Sequence, residues 1–281
     1  PSNTVCRSVF PPTRHPLLYI WWFQFSLKRY LKKDQVDLFW SPDGMFPLGI
    51  KTPVLTTIHD LNFEHFPQDL PKWVAWYYKK YFPRFAKAAN QIVTVSETTK
   101  QDIISSYQIP AEKISVIYNG VNTKYQPLSV QEKENVQQQL GFKEPYFLFV
   151  GSLHPRKNIH RLLQAFQLYA QTEATYQLVI VGAAMWKDQT FEIESVLAKR
   201  IHFKGHIETK TLAAIMGAAT AFVYVPYFEG FGMPLAEAME INPTRKLKKG
   251  ELAPYLDMAS VSTQGHVADA TIPREMGSGT K

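Results

Sequence analysis

Tyr224 to Met239 read Y-V-P-Y-F-E-G-F-G-M-P-L-A-E-A-M, and this stretch decides the fold. The apolar run 221–226 has the length and composition of a buried parallel strand, and 233–239 reads as a helix with Pro234 in its first turn. Gly230 and Gly232 therefore fall where strand gives way to helix. Backbone N–H groups there are uncovered by Cβ atoms and aimed, with the helix dipole, at whatever lies above the sheet. An anion would be held at such a point. With the helix beginning near Gly232, Glu237 lies about 7 Å further along its axis at about 1.5 Å per residue. Glu229 in the turn can then face a sugar while Glu237 faces a ribose hydroxyl pair. An isolated E-G-F-G would be an ordinary turn with solvated acids; the flanking V-P and A-E-A-M favour the ligand site.

Outward from this stretch, strands and helices alternate. A helix over about 18–33, strands 37–40 and 53–59, a helix 71–89, a strand 91–96, a helix 97–107 and a strand 114–118 form one series. Asn119-Gly120 opens a polar connection, followed by a glutamine-rich helix 130–140. The series then restarts with strand 146–150, helix 159–170, strand 177–181, helix 191–199, strand 201–204, helix 209–217 and strand 221–225. Such alternation indicates parallel sheets covered on both faces, whose ligands bind beyond the carboxyl ends of the strands. Gly151-Ser152, Gly182 and Gly205 fall at or near those ends. The expected fold is α/β, two facing Rossmann-like doubly wound domains. Their bounds are 1–121 and 143–240, with 122–142 as linker and 241–281 as a tail of different character.

The 281 residues, 45% hydrophobic and 14% aromatic, suffice for two packed cores. The single cysteine, Cys6, excludes a disulfide framework and fits a reducing compartment, and no zinc-type Cys/His cluster exists. The apolar stretch 16–27 is too short to cross a bilayer and no signal peptide precedes it, so a cytoplasmic location is expected. The net charge of +7 is unevenly spread: Lys28, Arg29, Lys32 and Lys33 follow the aromatic run, and Lys79, Lys80, Arg84 and Lys87 share a segment with Trp73, Trp76, Tyr77, Tyr78, Tyr81 and Phe82. Two readings stay open for these segments. Either they rest on an anionic membrane at its inner face, or their rings pack inward while the lysines stay solvated. No readable nucleic-acid motif accompanies the charge in the first 240 residues.

After the strand 146–150 comes G-S-L-H-P-R-K-N, 151–158. Arg156 and Lys157 sit just ahead of a helix, where a forked guanidinium and an ammonium can neutralise a diphosphate. Together with T-I-H-D (57–60), I-V-T-V-S-E (92–97), N-G-V-N (119–122) and the two glutamates, this order of signatures resembles a retaining glycosyltransferase of family 4 with the GT-B fold, over about residues 30–239.

That resemblance implies that Arg156, Lys157 and Ser152 bind the donor diphosphate with the backbone at Gly230, Phe231 and Gly232. It assigns the ribose to Glu237, the region of the base to Gly205, His206 and Ile207, and the donor sugar to Glu229. His59 would reach across from the first domain toward the transferred sugar; from the residues alone it is a strand-end histidine bonded to Asp60 or backbone. Ser96 reads as a helix N-cap and Asn119 as a turn former. The implied reaction moves a mannosyl- or glucosyl-type hexose from a GDP- or UDP-sugar to a glycan or lipid-linked acceptor with retention. It uses no cofactor and no metal, since the chain has no D-x-D and its E-x-E pairs, Glu132 to Glu134 and Glu192 to Glu194, fall in expected helices.

The chain departs from the family at both ends. The family's first strand and glycine-rich acceptor loop have no counterpart before Phe10, and after Met239 the sequence runs E-I-N-P-T-R-K-L-K-K-G. From about Pro243 it resembles the opening of a target-recognition domain of a type I restriction specificity subunit. The chain is accordingly expected to be an incomplete glycosyltransferase, with an inactive fragment joined to a DNA-specificity segment as the alternative.

Overall fold

The computed structural model describes residues 4–10, 16–183, 191 and 193–241. The chain divides between Asn119 and Gly120 into two compact units.

The first unit opens with helix α1 (Pro16–Trp21), which passes through a π-type segment (Trp22–Leu27) into α2 (Lys28–Lys33). Strands β1 (Phe39–Ser41) and β2 (Val54–Ile58) follow, then α3 (Asn62–His65), α4 (Lys72–Ala88), β3 (Gln91–Thr94), α5 (Glu97–Tyr107) and β4 (Ile114–Val116). The four strands lie in the order β1-β2-β3-β4, all parallel, with Trp40 opposite Leu55, Thr56 opposite Ile92 and Val93 opposite Ser115. Helix α5 begins where it does because the Ser96 side chain accepts the Thr99 N–H at 3.1 Å. Ile58, Ile92, Ile103 and Phe85 are all but inaccessible and form the centre of this unit's core.

The second unit contains α6 (Val130–Leu140), β5 (Tyr146–Val150), α7 (Ile159–Thr172), β6 (Gln177–Val181), β7 (Ile201–Gly205), α8 (Thr209–Ala218), β8 (Ala221–Phe222) and α9 (Met233–Ile241). Its parallel strands lie in the order β7-β6-β5-β8. Every residue of β5 and β6 is buried, which is what the continuous apolar runs require of central strands. Side chains alternate between the two faces: Phe147 and Phe149 pack with Leu162 and Phe166 of α7, whereas Tyr146, Leu148 and Val150 pack with Ala213 and Met216 of α8. Successive strands run outward from β5 to β7, and the chain then returns to place β8 on the other side of β5. The crevice beyond the carboxyl ends of β5 and β8 is thus the switch point at which such sheets bind ligands.

Three expectations are corrected. The helix expected over 191–199 is, among its described residues, a turn at 194–197 followed by a short 3-10 segment, Ala198–Arg200. Residues 122–142 do more than link: α6, held by a capping box between Ser129 and Glu132, buries Val136 and packs against α8, and Tyr125 is buried in the same core. Strand β8 ends at Phe222 rather than Val225, for a reason that lies in the site.

Candidate active site

Two loops meet at the switch point. The first leaves β5 through Gly151 and Ser152, the N–H of Gly151 donating to Val181 O at 3.0 Å and that of Leu153 to Ala183 O at 3.1 Å. This neighbour must be glycine at 182, because a Cβ there would stand 1.8 Å from the carbonyl oxygen of Gly151. The loop then turns through a short 3-10 segment, Pro155–Lys157, started by His154, whose Nδ1 accepts the Arg156 N–H at 3.2 Å. Asn158 ends the segment in the left-handed region, with φ of 61°, a conformation asparagine tolerates better than most residues.

The second loop leaves β8. Its carbonyl at Val225 accepts from Asn158 Nδ2 at 3.0 Å, and its Tyr227 N–H donates to Arg156 O at 3.0 Å. Val223 still donates its N–H to Leu148 O of β5 at 2.8 Å, but beyond it the carbonyl of Val225 and the N–H of Tyr227 go to the first loop, and the ladder stops short.

The two loops carry one charge cluster. Arg156 Nη1 and Lys157 Nζ both donate to Oε1 of Glu229, and Arg156 Nη1 also donates to the carbonyl of Phe228 at 3.2 Å. The side chain of Lys157 is only 7% exposed, against 22% for Arg156 and 17% for Glu229. Tyr224 completes the cluster from below: its hydroxyl lies 3.2 Å from Lys157 Nζ, its ring is 5.2 Å from that ammonium and stacks on Phe222. Burial first, and the Glu229 charge second, push the Tyr224 phenol far up, so it stays neutral at all ordinary pH. Two cations against one carboxylate leave a net positive charge in a partly dry crevice. That combination attracts a diphosphate and stabilises the charge that develops on it when it departs from a sugar.

A second cluster lies on α9, which begins beside Gly232, whose φ of 82° favours glycine. Glu237 is half-buried there, and the Tyr125 hydroxyl donates to its carboxylate. Burial raises the Glu237 carboxyl above its ordinary range and the Tyr125 donor pulls it partly back. Tyr125 in turn is pushed up to about 12, by burial and then by the Glu237 charge.

The structure thus brings Arg156, Lys157 and Glu229 into contact, with Ser152 half-buried on the same loop as the two cations. Gly230, Phe231 and Gly232 form the turn into α9. Gly205 ends β7 with φ of 63° and its carbonyl accepts the Gly182 N–H at 2.8 Å, while His206 is exposed and Ile207 packs at the edge of the core. His59 belongs to the first unit, exposed at the end of β2, with its Nε2 2.9 Å from Pro42 O; the backbone-bonded reading describes what is seen there. Tyr224, Asn158, His154 and Tyr125 were not singled out in the sequence, although Asn158 and His154 lie inside the quoted G-S-L-H-P-R-K-N. Glu192 and the tail beyond Ile241 lie outside the described residues, and so does the DNA-specificity reading of that tail. Among the described residues no group of three His, Cys, Asp or Glu side chains is placed to hold a metal ion, and no helix is long and apolar enough to cross a membrane.

Comparison with known proteins agrees with this geometry. Residues 2–125 match the family described as Glycosyltransferase Family 4 and residues 130–242 match Glycosyl transferases group 1. The chain is 32% identical over 234 residues to the O-antigen chain mannosyltransferase B of Escherichia coli, covering 80% of this chain and 58% of that protein. It is 29% identical over 244 residues to the O-antigen chain mannosyltransferase RfbU of Salmonella typhimurium, covering 86% and 63%. It therefore spans about three fifths of the length of these relatives. Among solved structures, Anabaena HepE in complex with UDP-glucose aligns with a TM-score of 0.61 at 20% identity, covering 76% of this chain and 60% of that one. WaaG, a glycosyltransferase involved in lipopolysaccharide biosynthesis, aligns at 0.62 and 17% identity, covering 83% and 65%. The fold of each unit, a parallel sheet wrapped by helices, is that of the GT-B glycosyltransferases.

Proposed function

We propose, from the match of residues 2–125 to Glycosyltransferase Family 4 and of residues 130–242 to Glycosyl transferases group 1, that this chain transfers a hexose from a nucleoside diphosphate sugar to a glycan or lipid-linked acceptor, with retention of configuration. The observation that carries the reading is the convergence of Arg156 and Lys157 on Glu229 at the β5/β8 switch point. Arg156 and Lys157 hold the diphosphate, with Ser152 and the turn 230–232 beside it, and Glu229 passes to the donor sugar. Glu237 accepts from the ribose hydroxyls, and the segment Gly205, His206 and Ile207 borders the base. The family resemblance assigns His59 to the transferred sugar. Departure of the diphosphate from an oxocarbenium-like centre is eased by the two cations and the N-terminus of α9, a stabilisation that needs no metal. The relatives named as O-antigen chain mannosyltransferases favour a mannosyl-type donor, with GDP or UDP as its nucleotide, and an acceptor in surface-polysaccharide synthesis. The acceptor would be met on the cytoplasmic side of a membrane.

The test is transfer of radiolabelled hexose from GDP-mannose and UDP-glucose to lipid-linked oligosaccharide, by this chain and by Glu229→Gln and Arg156→Ala. Product that needs the donor and disappears in both variants supports the reading. Binding of donor without product supports the non-transferring fragment. For residues 243–281 the restriction-subunit resemblance is carried as a separate proposal, which salt-dependent DNA binding lost on deletion of 241–281 would support.

A further inference from the structure

The floor of the crevice holds a polar atom that packing alone does not require. Tyr224 is 8% exposed, and its backbone is fixed on either side: the Val223 N–H donates to Leu148 O of β5 at 2.8 Å, and the Val225 carbonyl accepts from Asn158 Nδ2 at 3.0 Å. Its ring stacks on Phe222 with centroids 5.8 Å apart. The turn into α9 passes over that ring, since a Cβ added at Gly232 would stand 3.5 Å from the ring edge and 3.8 Å from the phenol oxygen. A phenylalanine would fill this place as well. Burying a hydroxyl costs free energy unless it is hydrogen-bonded, so the phenol oxygen points to a task beyond filling space.

Its bonds define the task. The oxygen accepts from Lys157 Nζ at 3.2 Å, which leaves the phenol proton for an acceptor, and the Glu229 carboxylate beside it is that acceptor. Lys157 also donates to Glu229 Oε1, so the three side chains close a triangle. The Lys157 side chain is only 7% exposed, and an ammonium this deep needs acceptors in every state of the site. Glu229 is the acceptor that a diphosphate would displace. The phenol oxygen is neutral, lies beneath the ammonium and is carried on fixed backbone, so it stays.

We propose that Tyr224 is a positioning residue of the donor site, whose hydroxyl keeps the Lys157 ammonium aimed at the incoming diphosphate while Glu229 changes partners. The inference rests on the donor-site reading above and adds to it a residue that acts through Lys157 and not on the donor itself. A neutral phenol suits the role. A carboxylate in its place would cancel the positive charge that two cations leave over one acid, and an aliphatic side chain would leave the buried ammonium short of a bond.

The test is a double-mutant cycle on nucleotide affinity. GDP and UDP are titrated by calorimetry into the parent chain, Tyr224→Phe, Lys157→Met and the double variant, and a thermal melt checks that each keeps its fold. Phe222→Leu is the packing control, because it thins the same floor and removes no polar group. Tyr224→Phe should weaken the bound nucleotide roughly tenfold in the parent and less than about twofold in the Lys157→Met background. Phe222→Leu should lower the melt and leave affinity within about twofold. Unchanged affinity in Tyr224→Phe, equal losses in the two backgrounds, or a loss in Phe222→Leu as large as in Tyr224→Phe would each overturn the positioning role while leaving the donor site standing. A folded parent that binds neither nucleotide would instead overturn the donor-site reading, and this role with it.

Discussion

Lys157, buried to all but 7% of its side chain, donates its ammonium to Oε1 of Glu229, the same oxygen that receives Arg156. Before any donor arrives, the carboxylate occupies the place in the cation pair that a phosphate would take. On the proposed function, a diphosphate entering the crevice would have to share or displace it, which would release Glu229 toward the sugar attached to that diphosphate.

Replacing Glu229 with glutamine removes this internal competitor. Two cations lose their anion, which should destabilise the chain by about 3 kcal/mol. Nucleoside diphosphate should bind more tightly than to the parent and restore much of the stability. The preference for a hexose conjugate over the bare diphosphate should vanish. Differential scanning fluorimetry with and without GDP and UDP reads all three effects.

Glu237 and Tyr125 give a pH signature. Burial raises the Glu237 carboxyl and the Tyr125 hydroxyl lowers it, so nucleotide affinity should fall on acidification above the ordinary glutamate range, as Glu237 takes up its proton. Tyr125→Phe removes the lowering partner, and the fall should begin at a higher pH. Folding carries the opposite sign: a raised carboxyl favours the folded chain in acid, and that contribution fades as pH rises through its folded value. Glu237→Gln should bind roughly tenfold more weakly at neutral pH and lose the step. Affinity measured against pH for the three proteins compares them with the titration of the diphosphate held in common.

Gly182 is a packing requirement of the first loop. An alanine Cβ would meet backbone, 1.8 Å from the Gly151 oxygen, and backbone cannot swing aside as a flexible side chain does. Gly182→Ala should cost about 3 kcal/mol and displace Arg156 and Lys157, so both the urea midpoint and nucleotide binding should drop. Gly120, with nothing within 4 Å of its would-be Cβ, is the control.

Much of the fold was legible because buried central strands and capped helices declare themselves locally. Tyr146–Val150 is an unbroken apolar run and Gln177–Val181 is apolar after its first residue, and both were bounded correctly, as was α5 behind the cap of Ser96. Misreadings arose where tertiary partners decide. The run 221–225 has strand composition, but after Val223 its bonds to β5 give way to the first loop, where Asn158 takes the Val225 carbonyl and Arg156 O the Tyr227 N–H. Tyr125 lies in a polar connection whose composition gives no hint of a buried ring. Tyr224 reads as one more strand residue until the fold sets it under Lys157. The pairing of Arg156 and Lys157 with Glu229 was legible as a shared pocket wall, but their direct contact was not, because nothing in the spacing fixes it.

The central claim is that the crevice between β5 and β8 is a nucleoside diphosphate sugar site. Calorimetric titration of the purified chain with GDP, UDP and their hexose conjugates, in parallel with Arg156→Ala, tests it most directly. Saturable binding of one nucleotide and its conjugate, weakened at least roughly tenfold in Arg156→Ala, is the predicted result. No binding by a folded chain, or binding that Arg156→Ala leaves unchanged, would contradict it.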